Sequence, residues 1–258
     1  MGQAQANSSS NKIILGIFQA LPLQRISRYL ARQGWDWIIL DMQHSSFDFE
    51  TAYECIHTIR DAGLTPLVRV PIGDYTTIQR ALDLGAQGIV VPMVNSRTDA
   101  EKAARAGKYP PLGNRSVGGD FRYHTGADHV CRSNAETHLL VQIEHIDAVH
   151  SADEIFAVEG VDGCLMGPTD LALSMSLPEV GFENDPRHRG AIQRALDSCR
   201  SAGRLACINA YNLIEAGERA RQGFHCITLR CEVDMFMDAG RNLLADLRRK
   251  VGEGQHVR

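Results

Sequence analysis

Short apolar runs alternate with longer amphipathic segments along the whole chain. Eight runs of four to seven residues are almost continuously apolar, which is typical of parallel strands that are covered on both faces. The eight predicted strands are Ile13–Gln19, Trp35–Leu40, Pro66–Val70, Gly88–Met93, Leu139–Glu144, Gly163–Gly167, Leu205–Asn209 and Cys226–Leu229.

The segments between these runs carry apolar residues at helical spacing. Each of the clearest helical segments is followed by a glycine, the residue that most often stops a helix before the next strand. Repeated strand–helix steps predict an α/β protein, a (β/α)8 TIM barrel formed by one domain over residues 12–258. A doubly wound open sheet is the alternative, but no glycine-rich phosphate loop follows the first strand. The predicted helices include Phe49–Ala62, Thr76–Leu84, Ser96–Ala106 and Arg189–Ala202.

Composition narrows the class of protein further. A chain of 258 residues can bury a core without disulfides or a structural metal. Its net charge of −4 argues against a nucleic-acid partner, and no apolar run approaches the roughly 20 residues of a membrane-spanning helix.

Seven cysteines form no CxxC pair, so we expect reduced thiols in a cytoplasmic protein. The polar residues 1–11 lack the apolar core of a signal peptide and are predicted to form a flexible arm.

One connection is much longer than the others. The segment KYPPLGNRSVGGDFRYHTGADHV spans more than twenty residues between the helix that ends near Ala106 and the fifth strand. It follows the fourth strand on the carboxyl face, where barrel active sites lie. We therefore expect this segment to cover the substrate.

Polar residues interrupt the apolar pattern where several predicted strands end. Asp41 and His44 follow the second strand, Arg69 lies at the end of the third, Glu144 ends the fifth, and Asp170 follows the sixth. Each has an ordinary structural explanation when taken alone, such as helix capping by Asp170. Because the carboxyl ends of barrel strands meet at one mouth, we expect these side chains to converge there. The convergence is what indicates a functional site.

Glu144 and Asp170 belong to consecutive strands, which predicts that their carboxylates lie side by side. Hard oxygen ligands without nearby cysteines suit Mg²⁺ or Mn²⁺ rather than a structural zinc. Such an ion would act as a Lewis acid on a 2-oxo acid and stabilise the enolate formed next to its ketone. Arg69 would stabilise the enolate oxygen, and His44 would move the proton.

Further residues complete this hypothesis. Asp41 or Asp83 would hold the imidazole of His44, and the backbone N–H groups of Thr169 and Asp170 would hold the substrate carboxylate. A Schiff-base aldolase needs a lysine on a barrel strand. All lysines lie outside the predicted strands, which argues against that chemistry: Lys12, Lys102, Lys108 and Lys250.

Several sequence blocks, in order, resemble the HpcH/HpaI family of class II, metal-dependent pyruvate aldolases. The resemblance covers Gly16 to Leu173 and becomes looser beyond. The family, which includes 2,4-dihydroxyhept-2-ene-1,7-dioate aldolase, implies a barrel that forms a homotrimer or homohexamer, with the last helix exchanged between subunits. The blocks are WDWIILDMQHSSFDFE, LVRVPIGD, ALDLGAQGIVVPMV, KYPPLGNRSVGG, LLVQIE and VEGVDGCLMGPTDLA.

The resemblance implies reversible cleavage of a 4-hydroxy-2-oxo acid into pyruvate and an aldehyde. It implies a divalent metal, Mg²⁺ first with Mn²⁺ or Co²⁺ as alternatives, and no pyridoxal phosphate or NAD. The metal ligands would be Glu144 and Asp170, and Arg69 would bind and polarise pyruvate. His44 would be the acid/base residue with Asp83 as its partner, and a neighbouring subunit could supply that aspartate. The residues implied for the pyruvate pocket are Gln142, Gly167, Pro168 and Thr169.

Three positions depart from the family pattern, and two of them concern the acceptor side of the site. Gln43 stands where the family often has Glu, the long segment carries bulky residues at 122–124, and Arg230-Cys231-Glu232 ends the eighth strand. A second hypothesis is therefore a macrophomate-synthase-like enzyme of this family, which decarboxylates oxaloacetate and joins the enolate to another electrophile. A third is a barrel without catalysis that binds a small acid or scaffolds an oligomer, against which the convergent charges argue. The bulky residues are Arg122, Tyr123 and His124.

Overall fold

The computed structural model describes residues 12–119, 122–126 and 128–252, without the side chains of Arg122 and His124. The predicted N-terminal arm, residues 1–11, lies outside the described residues. Eight parallel strands pair in chain order and close into a barrel, which confirms the predicted (β/α)8 fold. The strands are β1 (Ile14–Gln19), β2 (Trp37–Asp41), β3 (Thr65–Arg69), β4 (Gly88–Val91), β5 (His138–Ile143), β6 (Gly163–Met166), β7 (Leu205–Ala210) and β8 (Cys226–Cys231).

Helices connect the strands on the outside of the barrel. Helix α10 begins three residues before the predicted start because Asp185 caps it, its carboxylate accepting the N–H of Arg187 at 2.8 Å. A single 3-10 turn, Phe182–Asn184, precedes it. The α-helices are α1 (Gln24–Leu30), α2 (Phe49–Asp61), α3 (Tyr75–Asp83), α4 (Arg97–Gly107), α5 (Arg122–Thr125), α6 (His129–Glu136), α7 (Ile146–His150), α8 (Ala152–Phe156), α9 (Pro168–Ser174), α10 (Pro186–Ser201), α11 (Leu213–Gln222) and α12 (Glu232–Lys250).

The strands are apolar along their length because each one contributes to two cores. Residues such as Ile39 and Leu67 pack inside the barrel, whereas Ile38 and Val68 pack between the strands and the helices. Successive side chains of a strand point to opposite faces, so the inward positions recur every second residue. On five of the strands the next inward position at the carboxyl end is polar, and this change helps to create the mouth. These polar residues are Asp41, Arg69, Gln142, Asn209 and Thr228.

The long connection after α4 differs from the expected uninterrupted loop, because α6 and the short α5 lie within it. Its first part runs along α3. The hydroxyl of Tyr75 donates to the carbonyl of Asn114 at 2.8 Å, and the buried Arg115 donates to the carboxylate of Asp83 at 2.7 Å. The backbone N–H groups of Asn114 and Arg115 also donate to the carbonyls of Arg105 and Lys108 at the end of α4. This part of the connection is therefore held by α3 and α4, and its role as a substrate cover stays a prediction.

Lys108 has a structural role at the start of this connection. Its fully buried ammonium group donates to the carbonyls of Asn134 and Thr137 at 2.9 and 2.8 Å and to the carboxylate of Asp162 at 2.7 Å. All three of its protons are used, and the residue lies outside the strands as predicted. Within the described ranges, no helix has both the length and the apolar character that crossing a bilayer requires.

Candidate active site

Asp41 and Arg69 form a buried ion pair where β2 and β3 end. The two residues are register partners, and Nε and Nη2 of Arg69 donate to Oδ1 and Oδ2 of Asp41 at 2.9 and 2.7 Å. The guanidinium also lies 4.6 Å from the ring centroid of Phe18. This bidentate arrangement fixes the plane of the guanidinium, and no described residue accepts a hydrogen bond from its Nη1.

Asp41 also shapes the turn that carries His44. Its Oδ1 accepts the N–H groups of Gln43 and His44 at 3.1 and 3.2 Å, and its backbone carbonyl accepts the hydroxyl of Ser45. The imidazole of His44 is exposed and makes no hydrogen bond with the described part of the chain. Asp41 therefore holds the backbone of His44 in this structure, not its imidazole ring.

Glu144 lies buried at the end of β5 with both carboxylate oxygens oriented. Oε1 accepts the N–H of Met93 at 2.8 Å, and Oε2 accepts the side-chain amide of Gln142. Burial raises the pKa of Glu144 above its usual range, although the N–H of Met93 acts in the opposite direction. The negative charge of Asp170 raises this pKa further, and the positive charge of Arg69 lowers it. Arg69 ends β3, Glu144 follows β5 and Asp170 follows β6, so the closed parallel barrel brings the three charged residues to the same mouth.

The turn after β6 packs tightly against Glu144. A Cβ atom on Gly167 would lie 3.0 Å from Cβ and 3.1 Å from Oε2 of Glu144, so glycine is needed for this approach. The buried ring of His188 donates from Nε2 to the carbonyl of Pro168 at 2.9 Å, and burial lowers the pKa of His188 below its usual range. Asp170 follows in the first turn of α9 with its side chain exposed at the mouth.

Asp83 lies apart from this group. It ends α3, and since barrel helices run antiparallel to the strands, that end is opposite the mouth. Its carboxylate binds Arg115, and Gly119 packs so closely that a Cβ there would lie 2.6 Å from Cβ of Asp83. Within one chain Asp83 does not reach His44, and a contact between subunits stays a prediction.

Three residues at the mouth were missed by the sequence reasoning. Met93 adopts a left-handed backbone conformation, with φ of 54°, which directs its N–H to Glu144. Asn209 and Tyr211 occupy successive inward positions at the end of β7, and the hydroxyl of Thr169 donates to the phenol oxygen of Tyr211 at 2.7 Å. The polar residues after the seventh strand were a usable signal, whereas a left-handed methionine has no signature in a single sequence.

The charged residues at the end of β8 and the start of α12 have structural roles. Arg230 pairs with Asp234 at 3.0 Å and Asp238 at 2.6 Å, both on α12. The carboxylate of Glu232 accepts the N–H groups of Ala20 and Leu21, which hold the loop after β1. Neither side chain brings a free charge to the acceptor side of the mouth.

The donor set at the mouth fits a hard divalent cation. Each oxygen of Glu144 accepts one hydrogen bond and keeps acceptor capacity, and the carboxylate of Asp170 accepts none from a described residue. The side-chain oxygen of Gln142 is buried beside them and accepts no hydrogen bond from the part of the chain that the structure describes. Among the described residues, no group of three or more His, Cys, Asp or Glu side chains could hold a metal. Water and substrate would therefore complete the coordination, as is usual for Mg²⁺.

Comparison with known families agrees with this geometry. The model of the HpcH/HpaI aldolase/citrate lyase family matches residues 15–238. The chain belongs to the HpcH/HpaI family. It is an aldolase of this family and thus a carbon–carbon lyase, which confirms the predicted family and enzyme class. The hypothesis of a barrel without catalysis is not supported.

Individual relatives of this HpcH/HpaI member match over nearly the whole chain. It is 30% identical over 243 residues to the hydroxypyruvate/pyruvate aldolase of Roseobacter denitrificans, covering 92% of this chain and 93% of that protein. It is 30% identical over 242 residues to the 5-keto-4-deoxy-D-glucarate aldolase of Escherichia coli, covering 93% and 94%. The solved HpcH/HpaI aldolase of Desulfitobacterium hafniense DCB-2 has a TM-score of 0.86 and 28% identity, covering 92% and 93%. Macrophomate synthase, at 23% identity and a TM-score of 0.85 over 94% of this chain and 86% of that chain, shares the fold.

Proposed function

We propose that this HpcH/HpaI aldolase reversibly cleaves a 4-hydroxy-2-oxo acid into a pyruvate-type 2-oxo acid and an aldehyde, with Mg²⁺ as the preferred cation. The observation that supports this proposal is that Glu144 and Asp170 follow neighbouring strands at the mouth where Asp41 fixes the guanidinium of Arg69. A 2-oxo acid presents a ketone oxygen and a carboxylate, which are the groups that such a site binds. The relatives named as pyruvate-type aldolases support the same substrate class.

Glu144 and Asp170 would hold the cation, which when bound would withdraw charge from the ketone oxygen as a Lewis acid. Arg69 would donate from Nη1 to that oxygen as negative charge develops on it. Asp41 prevents the guanidinium from turning away, since both of its carboxylate oxygens are engaged with Arg69. A donor that is already oriented before the reaction stabilises charge without reorganising, and such donors contribute strongly to catalysis.

His44 would move the proton at the carbon next to the ketone. Its backbone is fixed by Asp41 while the imidazole is exposed at the mouth, so the ring is free to approach the substrate. Gln142 would keep Glu144 oriented, and Gly167 and Pro168 would form the wall of the pyruvate pocket.

Thr169 and Asp170 would hold the substrate carboxylate through backbone N–H groups. Both belong to the first turn of α9, where N–H groups have no partner within the helix.

We also propose that the active form is a homotrimer or homohexamer in which α12 packs on a neighbouring subunit. This helix carries apolar side chains that no described part of the same chain covers. Phe236 is 76% exposed and Leu243 is 71% exposed. Such an assembly would bury these side chains and would offer a route for Asp83 to approach His44 of another subunit. Light scattering coupled to size exclusion tests the mass, and a monomer would contradict this assembly.

Proton–deuterium exchange at the methyl group of pyruvate, followed by NMR, tests the proposed chemistry without knowledge of the aldehyde. We expect exchange that requires Mg²⁺ or Mn²⁺ and disappears in Glu144→Gln. The matched control is Glu159→Gln, because Glu159 is an exposed carboxylate on the outside of the barrel.

Two results would contradict parts of the proposal. Full exchange in the presence of a strong chelator would overturn the role of the cation. Oxaloacetate decarboxylation without any pyruvate exchange would instead favour the macrophomate-synthase-like hypothesis.

A further inference from the structure

The turn after β6 has no side-chain cap at the start of its helix. Helices are commonly fixed at this point by an N-cap side chain that accepts a backbone N–H. The N-cap of α9 is Gly167, and a Cβ there would lie 3.0 Å from Cβ of Glu144. The close packing on Glu144 therefore excludes a capping residue, so the turn that carries Asp170 has to be fixed by contacts from other elements.

Two such contacts reach the first turn of α9. On its exposed side the hydroxyl of Thr169 donates to the phenol oxygen of Tyr211 at 2.7 Å. On its buried side Nε2 of His188, from α10, donates to the carbonyl of Pro168 at 2.9 Å; a carbonyl can only accept, so the ring nitrogen is the donor. The histidine is fully buried, and water does not compete with its hydrogen bond. His188 is therefore the stronger of the two constraints on this turn.

His188 occupies a position that would suit an apolar side chain. It begins the buried face of α10, which continues with Ala191, Ile192 and Ala195. The ring of Phe182 packs edge-on against its ring, with centroids 5.0 Å apart, and its Nδ1 is buried without a hydrogen-bond partner among the described residues. An apolar residue would fill this space without leaving a polar atom unpartnered, so core packing alone does not explain the histidine.

The hydrogen bond to Pro168 acts on the carboxylate two residues further along the chain. Pro168 and Asp170 lie in the same turn of α9. The proline ring limits rotation of the backbone before the carbonyl, and His188 holds the carbonyl itself. These two restraints fix the direction in which the turn presents Asp170.

We propose that His188 is a positioning residue that holds the first turn of α9 so that Asp170 and Glu144 bind one divalent cation together. It acts through the carbonyl of Pro168 and forms no hydrogen bond with either carboxylate within the described chain. Removing a group that orients the ligands of a metal site typically weakens metal binding by about tenfold to a hundredfold. This inference rests on the proposed function and deepens it by naming a residue on which cation affinity depends.

Replacing His188 by two amides tests the hydrogen bond with little change in polarity. Glutamine can place its amide nitrogen near the position of ring Nε2, whereas the shorter asparagine places it near the position of Nδ1, out of reach of the carbonyl. We would titrate the cation-free protein with Mn²⁺ at one pH and follow free Mn²⁺ by EPR, which requires no substrate. The Kd for Mn²⁺ should rise about tenfold in His188→Asn and stay within about threefold of the wild-type value in His188→Gln.

Two further variants complete the comparison. His188→Met fills the same space without a donor, so it should weaken Mn²⁺ binding as His188→Asn does, and it provides the same test if the asparagine variant does not fold. The matched control is His138, which is half-buried at the amino end of β5 with its ring centroid 5.8 Å from that of Trp37. His138→Asn should leave the Kd unchanged, because this end of the barrel is opposite the mouth.

Pyruvate proton exchange gives a second measurement of the same effect. In His188→Asn the Mn²⁺ concentration for half-maximal exchange should rise about tenfold, while exchange at saturating Mn²⁺ stays within about threefold of the wild-type rate. This pattern is expected because the histidine positions a cation ligand and does not itself contact the substrate.

A purely structural histidine would lower Tm in these variants and leave the Kd of the folded protein unchanged. That result, or an equal loss of affinity in His188→Gln and His188→Asn, would overturn this inference and leave the aldolase function intact. Absence of Mn²⁺ binding by the wild-type protein would overturn the proposed role of the cation and this inference together.

Discussion

Replacing Asp41 by alanine tests how the site holds its arginine. The side chains of Asp41 and Arg69 are only 8% and 12% exposed, so the substitution leaves a buried guanidinium without its carboxylate. Removing one partner of a buried ion pair typically costs about 3–5 kcal/mol in the free energy of unfolding. At about 2–4 °C per kcal/mol for a chain of this size, Tm should fall by roughly 6–20 °C.

The same substitution should also impair catalysis by the protein that remains folded. Arg69 loses both oriented bonds, and the turn of His44 loses the acceptor of two N–H groups. Loss of an oriented donor to a developing oxyanion lowers kcat by about 10² to 10³, and we expect pyruvate exchange in Asp41→Ala to fall by a similar factor. Asp41→Asn should be intermediate, because its amide oxygen can still accept the backbone N–H groups.

A double-variant cycle decides whether the pair itself is responsible for the loss of stability. Asp41→Ala, Arg69→Met and the combination would be unfolded in urea at one fixed protein concentration, because assembly changes apparent stability. Replacing both charges by uncharged groups removes the unpaired guanidinium, so the double variant should be more stable than Asp41→Ala alone. Strictly additive losses, or a double variant no more stable than Asp41→Ala, would refute the reasoning.

Three further substitutions test other parts of the structure. Glu144→Gln should abolish exchange yet stabilise the cation-free protein at neutral pH. The fold raises the pKa of Glu144, so the stability of the wild-type protein falls as pH rises from about 4.5 through the pKa of the folded state. Urea unfolding at several pH values should therefore show a smaller decline in stability for the variant. Gly167→Ala should lower exchange at least about tenfold and Tm by several degrees, since its Cβ would lie 3.0 Å from Glu144; unchanged kinetics would contradict the packing. Lys108→Met should cost about 3 kcal/mol in urea unfolding by leaving Asp162 unpaired, while exchange by the folded protein stays at the wild-type rate.

The barrel could be predicted because each of its strands packs on two sides. Continuous apolar character identified every strand, and the remaining errors were at the ends. Thr65 and Asp41 join their strands through pairing with Trp37 and Arg69, which is a property of the neighbouring strand and not of local sequence. Helix α6 was missed because it is short and polar, with Ser133 as its one buried residue, so it has no apolar periodicity.

The charged residues of the site could be predicted from the sequence, but the contacts between their side chains could not. The rule that strand ends converge predicted that Arg69, Glu144 and Asp170 share one mouth, and the closed barrel places the ends of β3, β5 and β6 there. The pairing of Asp41 with Arg69 depends on the register between two strands and on both rotamers, which a single sequence does not contain. The hydrogen bond between Thr169 and Tyr211 depends in the same way on how the chain turns after β6 and β7.

The unfavourable features of this chain lie where its chemistry is proposed, and this coincidence is itself an argument for the site. Glu144 is a buried carboxylate whose ionisation is opposed by burial and by Asp170, and Met93 holds a conformation that non-glycine residues seldom adopt in order to donate to it. The oxygen of Gln142 is buried beside them without a described partner. An apolar residue in place of Glu144 would remove the charge and the need for the strained turn, so stability alone does not explain the arrangement. A bound cation would offset the electrostatic part of this cost, because it interacts most favourably with the ionised, preoriented carboxylate that the folded chain maintains.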